Sequence, residues 1–483
     1  MMDNALVSVS RWQFAITAAF HIIFPSLTVG LALLLVFLYG TYMKTGKQMY
    51  LTTFRFWRKI FGVGYAIGLF SGVVLTFEFG LNWATYANAV GPIVSVFLCM
   101  ELLSAFFLEA TFFGILMVGD GRVSKVVMFI STIMVFLGTL FSVTWILVAN
   151  SWMQTPAGYD MINGQFRATN WAAATFNPSF GLRFAHMLIA ALISASFLVA
   201  GVAGYYLLKG RHLAFAKLTF SLGLGIVSLL TPLQFYVGDS TAVMDITYQA
   251  PKTLAMEGNF DPNTTSWNLF IIPDQAQQRN IVQVAVPCLG SAFYDKDFTC
   301  HGKTPSMTLV PPQAQPPVAP TFWGFRLMYY LGLLMLFVTA ASILLRLRGR
   351  LYNARWFHRL MTIVMPIGVI AIICGWIVSE TGRQPWVVYG KLMTANAVSP
   401  LSPAEVQLTL WAFIVIYIVL LTLYIRYLVR AMRIGPEDGT QQPFSQQTTS
   451  HVTMPAVDGD RGSTPALSGQ LISLNQERTE RFL

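Results

Sequence analysis

The chain has 483 residues, 55% of them hydrophobic and only 11% charged, with a formal net charge of +10. A soluble domain carries about 25% charged residues, so this composition excludes an ordinary water-soluble protein. Recurring apolar runs of about 20 residues indicate a polytopic helical membrane protein. The positive balance then speaks to membrane topology and not to nucleic-acid binding.

No cleavable signal is expected, because Met1 to Arg11 is polar and the apolar run that follows is longer than a signal core. Hydropathy predicts an all-α membrane protein with about nine transmembrane helices, near 13–40, 61–81, 93–118, 126–150, 182–208, 218–237, 322–345, 360–379 and 404–427. The odd-numbered loops carry the cations: Lys44, Lys47, Arg55, Arg58 and Lys59 in the first, Arg122 and Lys125 in the third, Lys209, Arg211 and Lys217 in the fifth. The seventh carries Arg346, Arg348, Arg350, Arg355 and Arg359. The positive-inside rule therefore expects the N-terminus outside and the C-terminus in the cytoplasm. Four regions follow: membrane helices 1–6 over 1–237, a large external loop over 238–321, helices 7–9 over 322–434, and a Gln-, Ser- and Thr-rich tail over 435–483 expected to be disordered in the cytoplasm. No internal repeat is evident, which weakens a transporter reading.

Several side chains are out of place in lipid. His21, in Phe20-His21-Ile22-Ile23-Phe24-Pro25, lies ~12 Å from the outer end of the first span, and Glu101 ~12 Å into the third. His186 lies ~6 Å into the fifth span and Met328 ~9 Å into the seventh. Glu380 closes the eighth within Ser379-Glu380-Thr381-Gly382-Arg383-Gln384-Pro385-Trp386, where Gly382 and Pro385 are expected to end the helix and Trp386 suits the interfacial aromatic belt. Intramembrane ionisable residues are costly and point to function. Imidazole, thioether and carboxylate at one depth are a haem-ligand set, and a His–Met pair suits a low-spin electron-transfer haem. The bland alternatives are core filling for Met328, and interfacial snorkelling for Arg11, Arg326 and Arg383, the arginines that could otherwise neutralise haem propionates. Glu109 lies two turns below Glu101, offset by ~80° at α-helical pitch. With Ser104, Ser142 and Thr144 nearby in sequence, a proton path from the cytoplasm is plausible; the alternative is two protonated acids bonded between helices.

These residues, in this order, resemble the large haem-bearing subunit (subunit I) of cytochrome bd-type quinol oxidases. The likeness covers about 1–430, and its external quinol loop is of the short type. It is carried by Ser10-Arg11-Trp12-Gln13-Phe14 through His21, Glu101 through Glu109, Gly181 to His186, Pro251-Lys252 to Glu257-Gly258, Trp323 to Met328, and Gly382 to Trp386. The resemblance implies three haems: a low-spin haem b on His186 and Met328, and a high-spin haem b and a haem d (or a further haem b in its place) on His21, with Glu101 close by, and Glu380. It implies quinol binding at Lys252 and Glu257, a proton-path carboxylate in Glu109, an aromatic between haems in Trp376, and a second proton route starting at Asp239. It also implies a second large membrane subunit, small single-helix subunits, and residence in the bacterial cytoplasmic (inner) membrane. One departure lies in the second span: the family pattern has Glu two residues before position 78 and Gln where this chain has Glu78.

The function expected is that of a terminal oxidase subunit, oxidising quinol at the outer face and reducing O2 to water with cytoplasmic protons. The alternatives are a haem b electron carrier that does not react with oxygen, and a haem-free transporter. His21, His186, His212, His301, His358 and His451 supply no three-histidine copper cluster, which counts against a haem–copper oxidase. Cys288 and Cys300, both in the external loop, are expected to be bridged, and Cys99 and Cys374, within spans, to be free.

Overall fold

The computed structural model describes residues 2–294 and 296–437. Most of the tail expected from 435 onward therefore lies outside the described residues. Among the described residues, nine helical spans are long and apolar enough to cross a membrane.

The first span is two helices, α1 (Met2–Ile23) and α2 (Pro25–Thr45). Pro25 has no N–H and its ring crowds the carbonyl four residues back, which belongs to His21. That carbonyl instead accepts from the Phe24 N–H at 3.1 Å. Gly46 (φ 67°) ends α2 in the left-handed region and leads into α3 (Gln48–Leu81). α4 (Ala84–Glu101) and α5 (Phe107–Val118) form one span through a π-helical turn at Leu102–Phe106. α6 (Lys125–Gln154) starts at Ser124, whose side chain accepts from the Val127 N–H. A hairpin, β1 (Tyr159–Ile162) and β2 (Gln165–Ala168), and the short α7 (Trp171–Thr175) precede α8 (Phe180–Lys209).

α9 (Leu213–Glu257) differs most from expectation. It does not stop near 237 but runs for 45 residues, bending at Gln249 (φ −143°, ψ 50°) just before Pro251. At 1.5 Å per residue it spans ~68 Å, well beyond the ~30 Å hydrocarbon core. The polar residues after 237 looked like a loop; they are a helix whose backbone bonds survive everywhere but at the bend. The segment beyond holds a second hairpin, β3 (Trp267–Asp274) with β4 (Arg279–Val286), and the short α10 (Leu289–Tyr294).

α11 (Val318–Leu347) is followed by α12 (Arg355–Ile363) and α13 (Ile367–Thr381), divided at Pro366. A third hairpin, β5 (Trp386–Val388) and β6 (Leu392–Met393), leads to α14 (Pro403–Ile434), which opens on a Ser402/Glu405 capping box. α8 is the most enclosed span and α14 the least. Small residues let other helices touch α8: a Cβ on Gly223 would lie 2.8 Å from the Ser196 carbonyl oxygen, and one on Gly368 2.5 Å from the Ser194 Cα. α14 buries only a stripe, Val406, Tyr417, Tyr424 and Met432, spaced by 11, 7 and 8 residues.

Candidate haem and quinol site

α8, α9, α11 and α13 pack together and carry His186 and Met328 between them. Two glycines face these side chains. A Cβ on Gly238 of α9 would sit 3.4 Å from the His186 Cε1, and one on Gly375 of α13 would sit 3.0 Å from the Met328 Sδ. Gln234 pins the backbone of α8 by donating to the His186 carbonyl at 3.1 Å, while the buried Nδ1 of His186 has no partner in the chain. A buried polar atom without a partner is uncommon in a folded protein and calls for a ligand or water.

His21 lies at the proline break of the first span. Its Nδ1 is 3.0 Å from the Ser71 Oγ, which itself donates to the carbonyls of Ile67 or Gly68, each at 3.0 Å. With Nδ1 in contact with Ser71, Nε2 is the ring nitrogen left to face a metal. Gly72 faces the same ring, a Cβ there falling 3.1 Å from Cε1. Two turns along α3, Glu78 is buried; it accepts from Thr17 at 2.6 Å, and Thr17 accepts from Tyr417 at 3.3 Å.

The π-helical turn lies between Glu101 and Glu109. A π turn winds less per residue than an α turn, so the ~80° offset expected at α pitch shrinks and the two carboxylates come nearer one face. Glu101 accepts from Ser142 of α6 at 2.9 Å, and Glu109 from Tyr65 of α3 at 2.9 Å. Gly138 of α6 makes room for Glu109: a Cβ there would be 2.3 Å from the Glu109 Cγ. Ser104 receives the Trp145 Nε1 at 2.9 Å, whereas Thr144 spends its hydroxyl on the Leu140 carbonyl of its own helix.

Glu380 ends α13 inside a polar cluster. Its Oε1 accepts from Asn150 at 3.0 Å and Gln154 at 3.2 Å, and its Oε2 pairs with Arg383. Arg383 is buried, with Nε and Nη1 unpartnered. On the other side of Gln154 lies Lys252, fully buried, with Nζ 3.0 Å from the Gln154 Oε1, bonded also to Gln249 and 3.5 Å from Asp245. Arg183 pairs with Asp245 at 3.0 Å and donates to Ser379 at 3.0 Å. Three cations thus face two carboxylates in a cluster largely shut from solvent. An acidic group of a cofactor would balance the surplus positive charge.

Glu257 lies elsewhere. Its Oε2 pairs with Arg326 at 2.7 Å, and Tyr294 bonds to it as well. The Arg326 guanidinium also donates to the Asn268 carbonyl at 2.6 Å and lies 4.1 Å from the Trp267 ring centroid. Burial, reinforced by the adjacent Glu257, raises the Tyr294 hydroxyl well above its ordinary value, so it stays a neutral donor. Two of the nitrogens on Arg326, expected at a propionate, are therefore occupied, and Nη1 alone is left without a partner. Asp239 is exposed on α9; Arg11 and Trp376 are half-buried.

Sequence reasoning missed Arg183, Asp245, Gln249, Gln154, Asn150 and Tyr65. Arg183 and Asp245 carried the one usable signal, opposite charges at the ends of adjacent apolar spans. The uncharged four acquire meaning only from what faces them.

A helical membrane bundle with histidine, methionine and carboxylate side chains directed between its helices, the first two against bare glycines, is the architecture of a membrane haem protein. The chain matches the cytochrome bd terminal oxidase subunit I family over residues 9–436 and belongs to that family. It is therefore a haem protein subunit of a multi-subunit terminal oxidase, seated as a multi-pass protein in the bacterial inner membrane. It is 31% identical to cytochrome bd-II ubiquinol oxidase subunit 1 of Escherichia coli, covering 92% of this chain and 99% of that protein. It is also 31% identical to cytochrome bd ubiquinol oxidase subunit 1 of Bacillus subtilis, over 91% and 97% respectively. Its fold is similar to the bd oxidase of Geobacillus thermodenitrificans, with a TM-score of 0.82 and 25% identity over 90% of this chain and 100% of that one.

Proposed function

We propose that this chain oxidises quinol at Lys252 and Glu257 and delivers the electrons to an oxygen-reducing haem pair, with protons supplied through Glu109, Glu101 and Ser142. His186 and Met328 would hold a low-spin haem b, and His21 and Glu380, with Glu101 close by, the two high-spin haems, one of them haem d or a further haem b. Bound there, the haems supply one-electron transfer and the site of oxygen reduction.

The chain's own groups do the rest. Glu257 takes a proton from the quinol while Arg326 and Tyr294 hold it in place. Lys252 orients a ring oxygen. Ser71 orients the His21 ring through its Nδ1. Tyr65 and Ser142 orient the two carboxylates of the proton path. With the N-terminus outside, quinol protons leave outside and consumed protons enter from the cytoplasm, so turnover adds to the proton-motive force without a pump. A second large membrane subunit and small single-helix subunits would complete the oxidase.

The observation that carries this reading is the chain of hydrogen bonds from Lys252 through Gln154 to Glu380, which joins a buried ammonium to a carboxylate with two unpaired guanidinium nitrogens close by. Two measurements test it. Pyridine haemochrome analysis of the purified oxidase should report haem b, with or without haem d; a colourless protein ends the proposal. Lys252→Ala and Glu257→Ala should each raise the KM for quinol or lower quinol turnover, while an artificial donor that reduces the haems directly is still oxidised. Equal loss of both activities, or of neither, would move the quinol site elsewhere.

A further inference from the structure

Gln154 is the last residue of α6 and is fully buried. A glutamine there has no packing advantage over an apolar residue, and its four polar valences must be met or paid for in stability. Three of them are met, from two separate helices, α9 and α13. Its carbonyl oxygen Oε1 accepts from Lys252 of α9 at 3.0 Å, and its Nε2 donates to Glu380 of α13 at 3.2 Å and to the Ser379 carbonyl at 3.3 Å. Its backbone carbonyl accepts from the Gln249 Nε2 at 2.9 Å, at the residue where α9 bends. Gly382 holds the other side of the same contact: a Cβ there would lie 2.5 Å from the Lys252 Cγ, so the lysine stem lies directly against the end of α13.

We propose that Gln154 is a positioning residue that couples the quinol segment to the Glu380 site, its side-chain amide holding Lys252 with one edge and Glu380 with the other. The proposal rests on the reading of Lys252 as a quinol residue and Glu380 as a haem ligand. An amide suits this task because it accepts and donates at once and carries no charge of its own. When a quinol or its analogue shifts Lys252, the displacement passes through one rigid side chain to the carboxylate, and so to the environment of the high-spin haem.

The test uses the intact oxidase complex, with an alkyl hydroxyquinoline N-oxide as probe. In the wild type, the probe should shift the high-spin haem band. Gln154→Met keeps the length of the side chain and removes both polar edges; it should abolish that shift and raise the quinol KM about tenfold, the loss of one hydrogen bond to a charged group. Gln154→Glu keeps an acceptor for Lys252 and loses the donor to Glu380; it should hold the KM within about twofold, since that bond survives, and still abolish the shift. Should the Met variant fail to assemble, the Glu variant decides by itself. No probe-induced shift in the wild type, an undiminished shift in either variant, or a KM raised equally by both would overturn the coupling. Lys252→Ala with an unchanged KM would instead overturn the quinol reading beneath it, which keeps the two failures apart.

Discussion

At the scale of single residues, the candidate ligands are held by neighbours that set their chemistry. Ser71 holds the His21 ring at Nδ1, and Gly375, bare of a side chain, makes room for the sulfur of Met328. Met328→Leu keeps the volume and removes the thioether, so packing should be nearly unchanged. The expected result is loss or conversion of the low-spin haem signature in the reduced spectrum, with the high-spin pair retained; an unaltered low-spin spectrum would remove Met328 as a ligand. Glu257 shows what spacing alone could not. Five residues apart, the two have different partners: Glu257 faces Arg326 and Tyr294, while Lys252 faces Gln154 and Asp245. The bend in α9 lies before both, so the two polar sets arise from what the neighbouring helices and the β3–β4 hairpin present to each.

At the scale of elements, glycine positions are where the site meets the helices. Gly138 lets α6 pass over Glu109, and a methyl group there would clash at 2.3 Å. Gly138→Ala should therefore reproduce the effect of Glu109→Gln, slowing turnover several-fold without loss of haem. Oxygen uptake alongside the haem spectrum of both variants checks this, and wild-type turnover in Glu109→Gln would remove the proton path. Gly382 has helical backbone angles (φ −68°), so its backbone does not require glycine. Its role is to admit Lys252. Gly382→Ala should raise the quinol KM with little change in haem content, whereas an unchanged KM would show that Lys252 can yield at no cost. The sequence marked Gly382 as a helix terminator; the helix does end there, and the contacts that exclude a side chain are with the Val378 carbonyl of its own helix at 2.6 Å and with Lys252, 130 positions earlier, at 2.5 Å.

At the scale of the whole molecule, the segment between α9 and α11 is built to hold its shape outside the spans. Cys288 and Cys300 are joined, and between them Asp297 accepts from Thr299, Gly302 and His301. The Thr299 hydroxyl bond, followed by the backbone donors, holds the Asp297 carboxyl well below the usual range. A depressed carboxylate stabilises above its unfolded value and loses that contribution only as pH falls through the folded one, so the segment should be insensitive to pH between about 5 and 8. Closing a loop of 12 positions contributes roughly 3 kcal/mol in the chain-entropy model. Cys288→Ser should speed proteolysis within 258–317 of the assembled oxidase, with the haem spectrum unchanged; equal cleavage rates with and without the bridge would show that packing alone maintains the segment. Cys99 and Cys374 remain thiols, as expected for residues within spans.

What the sequence by itself determined is whatever local composition and period dictate. Apolar runs set the number of spans, because backbone groups in lipid must be bonded within a helix. His21, His186, Glu101, Glu109 and Glu380 stood out because each is expensive in hydrocarbon. The tertiary structure alone decided how far α9 continues past its bend, since a polar helix and a polar loop read alike along the chain. It alone decided that Asp239 faces outward while Asp245 faces Arg183 and Lys252. It alone gave Gln154 a meaning, because an uncharged amide shows no cost in sequence. Its importance comes from the charges that two distant helices, α9 and α13, bring within hydrogen-bonding reach.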